Sequence, residues 1–331
     1  MPAWVHREKL TRNYVADRLS CAYCFSLASL LVLVLAPFFL AYTSHSLWLR
    51  ENTYREQPDV RFQYKMIMLA EGTKTTGVST VPMQLFWSTN TSFNNLYHDS
   101  VRVPVMRATA EDLNRDARTD LLKVSAEMPL AVGEAIYSVT MLLFFDFRLS
   151  DRAKFSMETL GYISEASPLP GSHVSVDADL VLQQSLPLLV KGGFKTPYQK
   201  FPLISPSAKS ARALLLPGLL QSYRDRNETT NLANKYAVWE RQATGIVAEN
   251  QLARQNFTVS ATIRVPPAPV LYVPDWSEVA KVAWIQYLSI FAAIYYLLDI
   301  LMSFVYTNQI LETAVLTTHP AGYAGSKLHK F

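Results

Sequence analysis

The residues with the strongest claim to chemistry lie in one short run, Asp112-Leu-Asn114-Arg-Asp116-Ala-Arg-Thr-Asp120. Oxygen-bearing side chains on alternate residues of a tight loop match the way a calcium loop wraps its ion. Asp112, Asn114, Asp116 and Asp120 are therefore candidate ligands for Ca2+. Two residues depart from that pattern. Ala117 stands where the sharp bend favours Gly, and Lys123 stands where a Glu closes such a site. The competing reading is a solvated turn between strands at Val101–Arg107 and Leu122–Met128. There Asp and Asn bond the local backbone, and Arg115 and Arg118 balance their charge without a metal.

Other chemistry is sparse. The chain has no G-x-S-x-G, no H-E-x-x-H, no phosphate-cradling glycine loop and no dinucleotide fingerprint. Its six His are scattered without ligand spacing, so neither catalytic residues nor a cofactor site is assigned, and an enzyme is not expected. Cys21-Ala-Tyr-Cys24 has redox spacing but sits at the start of an apolar run rather than in a βαβ unit. Small residues entering a membrane span explain it, with palmitoylation as the alternative. Basic and acidic residues number 31 and 27, spread along the chain with no basic aromatic patch. Nucleic acid is not an expected partner, nor is a small-molecule substrate.

The elements that position these residues begin with two apolar stretches. No Asp, Glu, Lys or Arg lies between Arg18 and Arg50, and Ala22 to Tyr42 is long enough to cross a hydrocarbon core of about 30 Å. Pro37 falls inside it, which spans tolerate. A cleaved signal peptide is the alternative, but the apolar run is too long and too far from Met1. The second stretch runs from Val282 to Phe304. Its Trp and Tyr content suits an interface or a packed span. Asp299 is its only charge, near the far end, where it reaches headgroups or meets a partner helix. Arg7, Lys9, Arg12 and Arg18 before the first span, with Lys327 and Lys330 after the second, keep both ends cytosolic.

These boundaries divide the chain into a cytosolic segment 1–21, a span 22–42, a lumenal or extracellular domain 43–281, a span 282–304 and a cytosolic tail 305–331. Three N-x-S/T sequons, at Asn90, Asn227 and Asn256, all fall in the middle domain. That domain contains no cysteine, so it holds together without disulfides.

Period-2 alternation marks its strands. Phe257, Val259, Ala261, Ile263 and Val265 share one face, as do Val174, Val176, Ala178, Leu180 and Leu182, and Leu122, Val124, Ala126 and Met128. Further strands are expected near Arg61–Leu69, Gln84–Ser88, Val101–Arg107 and Ile136–Leu149, where Ala135–Leu149 reads as buried. The expected fold is a mainly-β domain, an antiparallel β-sandwich with short helical insertions. Residues 208–223 and 231–252 read as loop and short helix.

An ordered set of segments resembles the transmembrane protein 231 family. It comprises Trp48-Leu-Arg with Tyr54-Arg-Glu-Gln-Pro-Asp-Val-Arg-Phe-Gln63, the Asp112–Asp120 loop, Pro170-Gly-Ser, Gln221 to Thr230, Ala283-Trp-Ile-Gln-Tyr-Leu-Ser-Ile290 and Asn308-Gln309. The family pattern carries Gly at the position of Ala117. The resemblance implies a component of the ciliary transition zone, in an assembly with tectonic and other Meckel-syndrome proteins. Such an assembly limits diffusion of membrane proteins into the cilium and supports ciliogenesis and Hedgehog-type signalling. From the residues alone, a two-span channel or receptor subunit with an extracellular ligand-binding domain is the alternative. Such subunits brace that domain with disulfides, which this one lacks.

Overall fold

A computed structural model describes residues 11–44, 47–204, 216–241 and 256–318. The basic residues Arg7, Lys9, Lys327 and Lys330 lie outside them. The chain divides into two compact units: both flanks, up to Arg50 and from Asp275 on, and the segment Glu51–Pro274.

In the first unit both apolar stretches are helical, α1 (Cys21–Thr43) and α4 (Trp276–Thr307). Ser20 caps α1 by accepting the Tyr23 N–H, and Asp275 caps α4 by accepting the Trp276 N–H. The residues of α1 buried in the pair are small or compact: Ala22, Ser29, Pro37 and Ala41. Small residues let helix backbones approach where lipid gives no hydrophobic drive. Tyrosine hydroxyls of α4 then reach α1 carbonyls, Tyr287 to Val34 (3.3 Å) and Tyr306 to Ala22 (3.2 Å). A stack of rings, Trp284, Tyr287, Phe291 and Tyr295, runs along α4.

Outside the helices, β1 (Thr11–Val15) pairs antiparallel with β13 (Ala314–Thr318). Tyr14 of β1 stacks on Tyr306 of α4 at 5.9 Å. This ribbon places the segments before α1 and after α4 side by side. Nothing in the hydrophobic pattern announced it.

The second unit is mainly β, as the alternation requires. Its strands are β2 (Asn52–Glu56), β3 (Asp59–Thr76), β4 (Ser79–Ser88), β5 (Val105–Glu111), β6 (Leu121–Pro129), β7 (Glu134–Leu149), β8 (Phe155–Gln184), β9 (Leu188–Leu189), β10 (Glu228–Arg241), β11 (Asn256–Arg264) and β12 (Ala268–Val273). An eight-stranded sheet has the order β4-β3-β7-β8-β11-β6-β5, with β10 also on β8; β2, β12 and β9 form a smaller sheet.

The pairing is mixed rather than wholly antiparallel, because β11 runs parallel to β8. The long strand β8 explains it. Residues 155–166 pair with β7, whereas residues 173–184 pair with β10 and, up to Asp179, β11. Pro168 and Pro170, which donate no ladder bond, occupy the corner between them. Alternation fixes which face of a strand is buried, but not the direction of its neighbour.

Strand β7 is buried on both faces. Met141, Leu143 and Phe145 enter the main core with residues such as Met66, Val124, Val174 and Val259. Leu142 and Phe144 face the other way, into a second cluster with Ile67 and Leu160. Two short helices, α2 (Thr91–Leu96) and α3 (Leu216–Arg224), cover that second face with Phe93, Leu219 and Tyr223. A buried network locks α3 down: the Tyr223 hydroxyl accepts from Thr230 N (2.6 Å) and Leu160 N (3.3 Å), and Thr159 and Thr230 share a hydrogen bond. Residues 231–241, expected as loop and helix, belong to β10 instead. Its alternation is broken by a bulge between Ala233 and Tyr236, where Asn234 has φ +49°, so no continuous apolar face shows in sequence. The flanking stretches 205–215 and 242–255 lie outside the described residues.

Gly72 tests this architecture. It sits at a register shift between β3 and β7, where a Cβ would fall on the Ala135 carbonyl. Gly72→Ala should destabilise the protein by about 1–3 kcal/mol through backbone displacement in a packed region, measured by urea unfolding.

Candidate functional site

The acidic loop is built by its own backbone. Asp112 Oδ1 accepts from the Arg115 (2.6 Å) and Asp116 N–H groups, and its Oδ2 accepts from Ala117 N (2.9 Å). Asp116 Oδ1 accepts from Arg118 N, and Asn114 Oδ1 accepts from Asp116 N. Asp120 Oδ2 accepts from Leu113 and Asn114 N, while Oδ1 takes the Gln57 amide at 2.6 Å. The Gln57 hydrogen bond holds the Asp120 carboxyl below its usual value; burial opposes it, and the Leu113 and Asn114 N–H groups add to it.

Turns this tight need left-handed residues. Arg115 has φ +62° and Ala117 φ +65°, so Ala117 occupies the conformation that Gly adopts without strain. The loop also fastens the connection between β2 and β3, because Arg118 donates to the Gln57 carbonyl.

The four candidate ligands thus spend their oxygens on N–H donors rather than converging on a common point. Among the described residues, no three His, Cys, Asp or Glu are grouped to hold a metal ion. In this arrangement the carboxylates act as acceptors for the loop's own N–H groups, the bonding of an Asx-rich turn.

The structure brings together one set of residues that spacing did not suggest. His173 on β8 contacts Ser260 on β11 through Nε2 (2.9 Å) and Glu240 on β10 through Nδ1 (3.4 Å). A nucleophile, a base and an orienting carboxylate in this order form a triad in hydrolases. Here Ser260 lies mid-strand with β6 on one side and β8 on the other. The strand's backbone donors serve two ladders, so none is left to stabilise an oxyanion. The contact links three strands and is assigned no catalysis.

The sequons are at the surface. Asn227 and Asn256 are exposed. Asn90 is half-buried and caps α2, its Oδ1 accepting the Ser92 N–H at 2.9 Å; the amide nitrogen that a glycan would modify takes no part in the cap. Cys21 and Cys24 are exposed free thiols in the first turn of α1.

Asp299 is exposed on α4, on a face shared with Tyr295 and Tyr296. The helix extends to Thr307 rather than stopping near Phe304. At about 1.5 Å per residue, Asp299 is about 12 Å from that end. Tyr306 is bonded to Ala22 at the start of α1, so the two helix ends are level. Asp299 thus lies about two turns inside the helix end.

Taken together, two helices long and apolar enough to cross a membrane, paired by tyrosine hydroxyls, and a large mainly-β unit outline a membrane protein with two candidate spans. Sequence comparison makes this specific. Residues 1–315 match the family described as Transmembrane protein 231. Proteins of that name are 37% identical over 301 residues in Xenopus tropicalis (91% of each chain) and 33% identical over 312 residues in Homo sapiens (94% of each chain). The protein of that name from Gallus gallus is 36% identical over 291 residues, covering 87% of this chain and 86% of its own. The chain belongs to the transmembrane protein 231 family.

The loop geometry predicts equal melting temperatures in millimolar calcium and in chelator. A higher melting temperature in calcium would mean that the carboxylates turn outward to the ion. Asp112→Ala, which strips acceptors from three N–H groups, should cost about 1 kcal/mol in either condition.

Proposed function

We propose that the chain is a structural membrane component of the ciliary transition zone, part of the diffusion barrier that supports ciliogenesis and Hedgehog-type signalling. Family membership supports this reading, and the observation that carries it is Asp299. A carboxylate two turns inside a span, with none of the described residues bonded to it, marks a helix pair that is completed by other membrane helices. Tectonic and Meckel-syndrome proteins are the proposed partners. The chain performs no catalytic step of its own in this role; it contributes anchors and a rigid folded unit.

In the same reading both ends of the chain are cytosolic, and the β unit, with glycans at Asn90, Asn227 and Asn256, faces the lumen or exterior. Pairing of β1 with β13 supports placing both ends on one membrane face. The exposed, basic Arg12 and Arg18 support the cytosolic side.

Two experiments bear on this proposal. Replacing Asn90, Asn227 and Asn256 together by Gln should abolish a glycosidase-sensitive gel shift, and tags at either end should stain only permeabilised cells. A terminal tag that stains intact cells would refute the topology. Asp299→Leu should leave the melting temperature unchanged yet reduce recovery of tectonic partners and signal at the ciliary base, measured by co-purification and imaging in ciliated cells. Unchanged recovery and localisation in the variant would assign Asp299 no role in assembly.

A further inference from the structure

We propose that the face of α4 left uncovered by α1 docks a transmembrane helix of a partner protein, one that presents a lysine, arginine or histidine at the level of Asp299. This docking rests on the reading that other membrane helices complete the pair, and it names the surface and the chemistry involved. One stripe of α4 serves α1. It includes Val305, which is buried, and Tyr287, whose hydroxyl donates to Val34 O. A second stripe consists of Ser289, Ala292, Tyr296, Asp299 and Ser303, successive members three or four residues apart, the repeat of a helix-packing seam. At about 100° per residue, that stripe points about 150° away, on average, from Tyr287 and Val305. All five of its residues are exposed.

The composition of this second stripe does not suit lipid. Large apolar side chains match acyl chains, and α4 carries them beside the stripe at Leu288, Leu297, Ile300 and Phe304. Of the non-aromatic polar residues between Val282 and Phe304, only Gln286 lies off the stripe; Ser289, Asp299 and Ser303 lie on it. The Ser289 hydroxyl donates back to Gln286 O at 2.8 Å, so it offers a small surface rather than a free donor. Small residues at this spacing let a second helix backbone approach closely. Asp299 sits between Tyr296 and Ser303, with none of the described residues bonded to it.

Charge decides the occupant. A carboxylate among apolar side chains is costly unless it meets a cation. A second copy of this chain enters the membrane in the same orientation. Symmetric pairing through this stripe would set Asp299 against Asp299, which disfavours self-association. A lipid ammonium supplies charge but leaves the small positions unfilled. A basic side chain on another protein's helix satisfies both demands.

The test uses the full chain in ciliated cells, with a diazirine-bearing residue placed by amber suppression at Ser289 or Ser303 on the stripe, or at Leu297 off it. Irradiation should give an adduct with another protein from the stripe positions and none from Leu297. Sequencing of the crosslinked peptide should find a membrane span with a basic residue. Asp299→Lys should lower the adduct yield about tenfold or more, and exchanging the partner's basic residue for Asp should restore it. Restoration by the paired exchange separates loss of the charge pair from failure to fold or insert. No adduct from the stripe, or equal yields from the stripe and Leu297, would overturn the docking face. An adduct with a second copy of this chain would overturn the choice of partner. A captured span without a basic residue, a yield unchanged by Asp299→Lys, or one that the paired exchange fails to restore would overturn the charge pairing. Capture of a basic span from a protein absent from the ciliary base would leave the docking face standing and sink the transition-zone reading.

Discussion

The two-sided burial of β7 is the constraint on which the β unit depends. Met141 to Phe145 are fully buried, and their side chains alternate between two clusters. A strand apolar on both faces cannot meet water on either, so the chain must supply a layer for each. Strands on one side and the short helices α2 and α3 on the other supply them. Burying one such Leu, Met or Phe stabilises by roughly 1.5–3 kcal/mol, which explains why the unit folds without disulfides. The polar ties at its margins serve the same end. Glu56 is buried yet accepts from Ser150 N, Asp151 N and the Tyr54 hydroxyl. Burial, together with the nearby Glu56 carboxylate, raises the pKa of the Tyr54 phenol, keeping it a donor.

Much of this was legible in the residues. The apolar runs at Ala22–Tyr42 and Val282–Phe304 marked both helices, and alternation located β6, β11 and the second half of β8. Length and direction were harder to read. Helix α4 continues three residues past Phe304 because Tyr306 finds a carbonyl on α1 and Asn308 caps the end by donating to Phe304 O. That extension sets Asp299 about two turns inside the helix rather than near its end. Parallel pairing of β11 with β8 depends on where a strand of 30 residues turns its corner, a long-range outcome that no local pattern encodes.

The candidate sites divide along the same line. Asp112, Asn114, Asp116 and Asp120 were recognisable by type and spacing, but direction decides their role, and their oxygens face the loop's own N–H groups.

The ribbon of β1 and β13 has a consequence for how the protein is made. Strand β1 leaves the ribosome well before β13, which lies about 300 residues further along the chain. At roughly 5–20 residues per second, β1 waits on the order of 15 to 60 seconds for β13. During that interval its backbone groups have no partner within the nascent chain, and α1 lacks the tyrosines that later anchor it. Synthesis of β13 is thus the event that completes the ribbon. A truncation that removed only the last strand would leave the first one, synthesised long before, without its ladder.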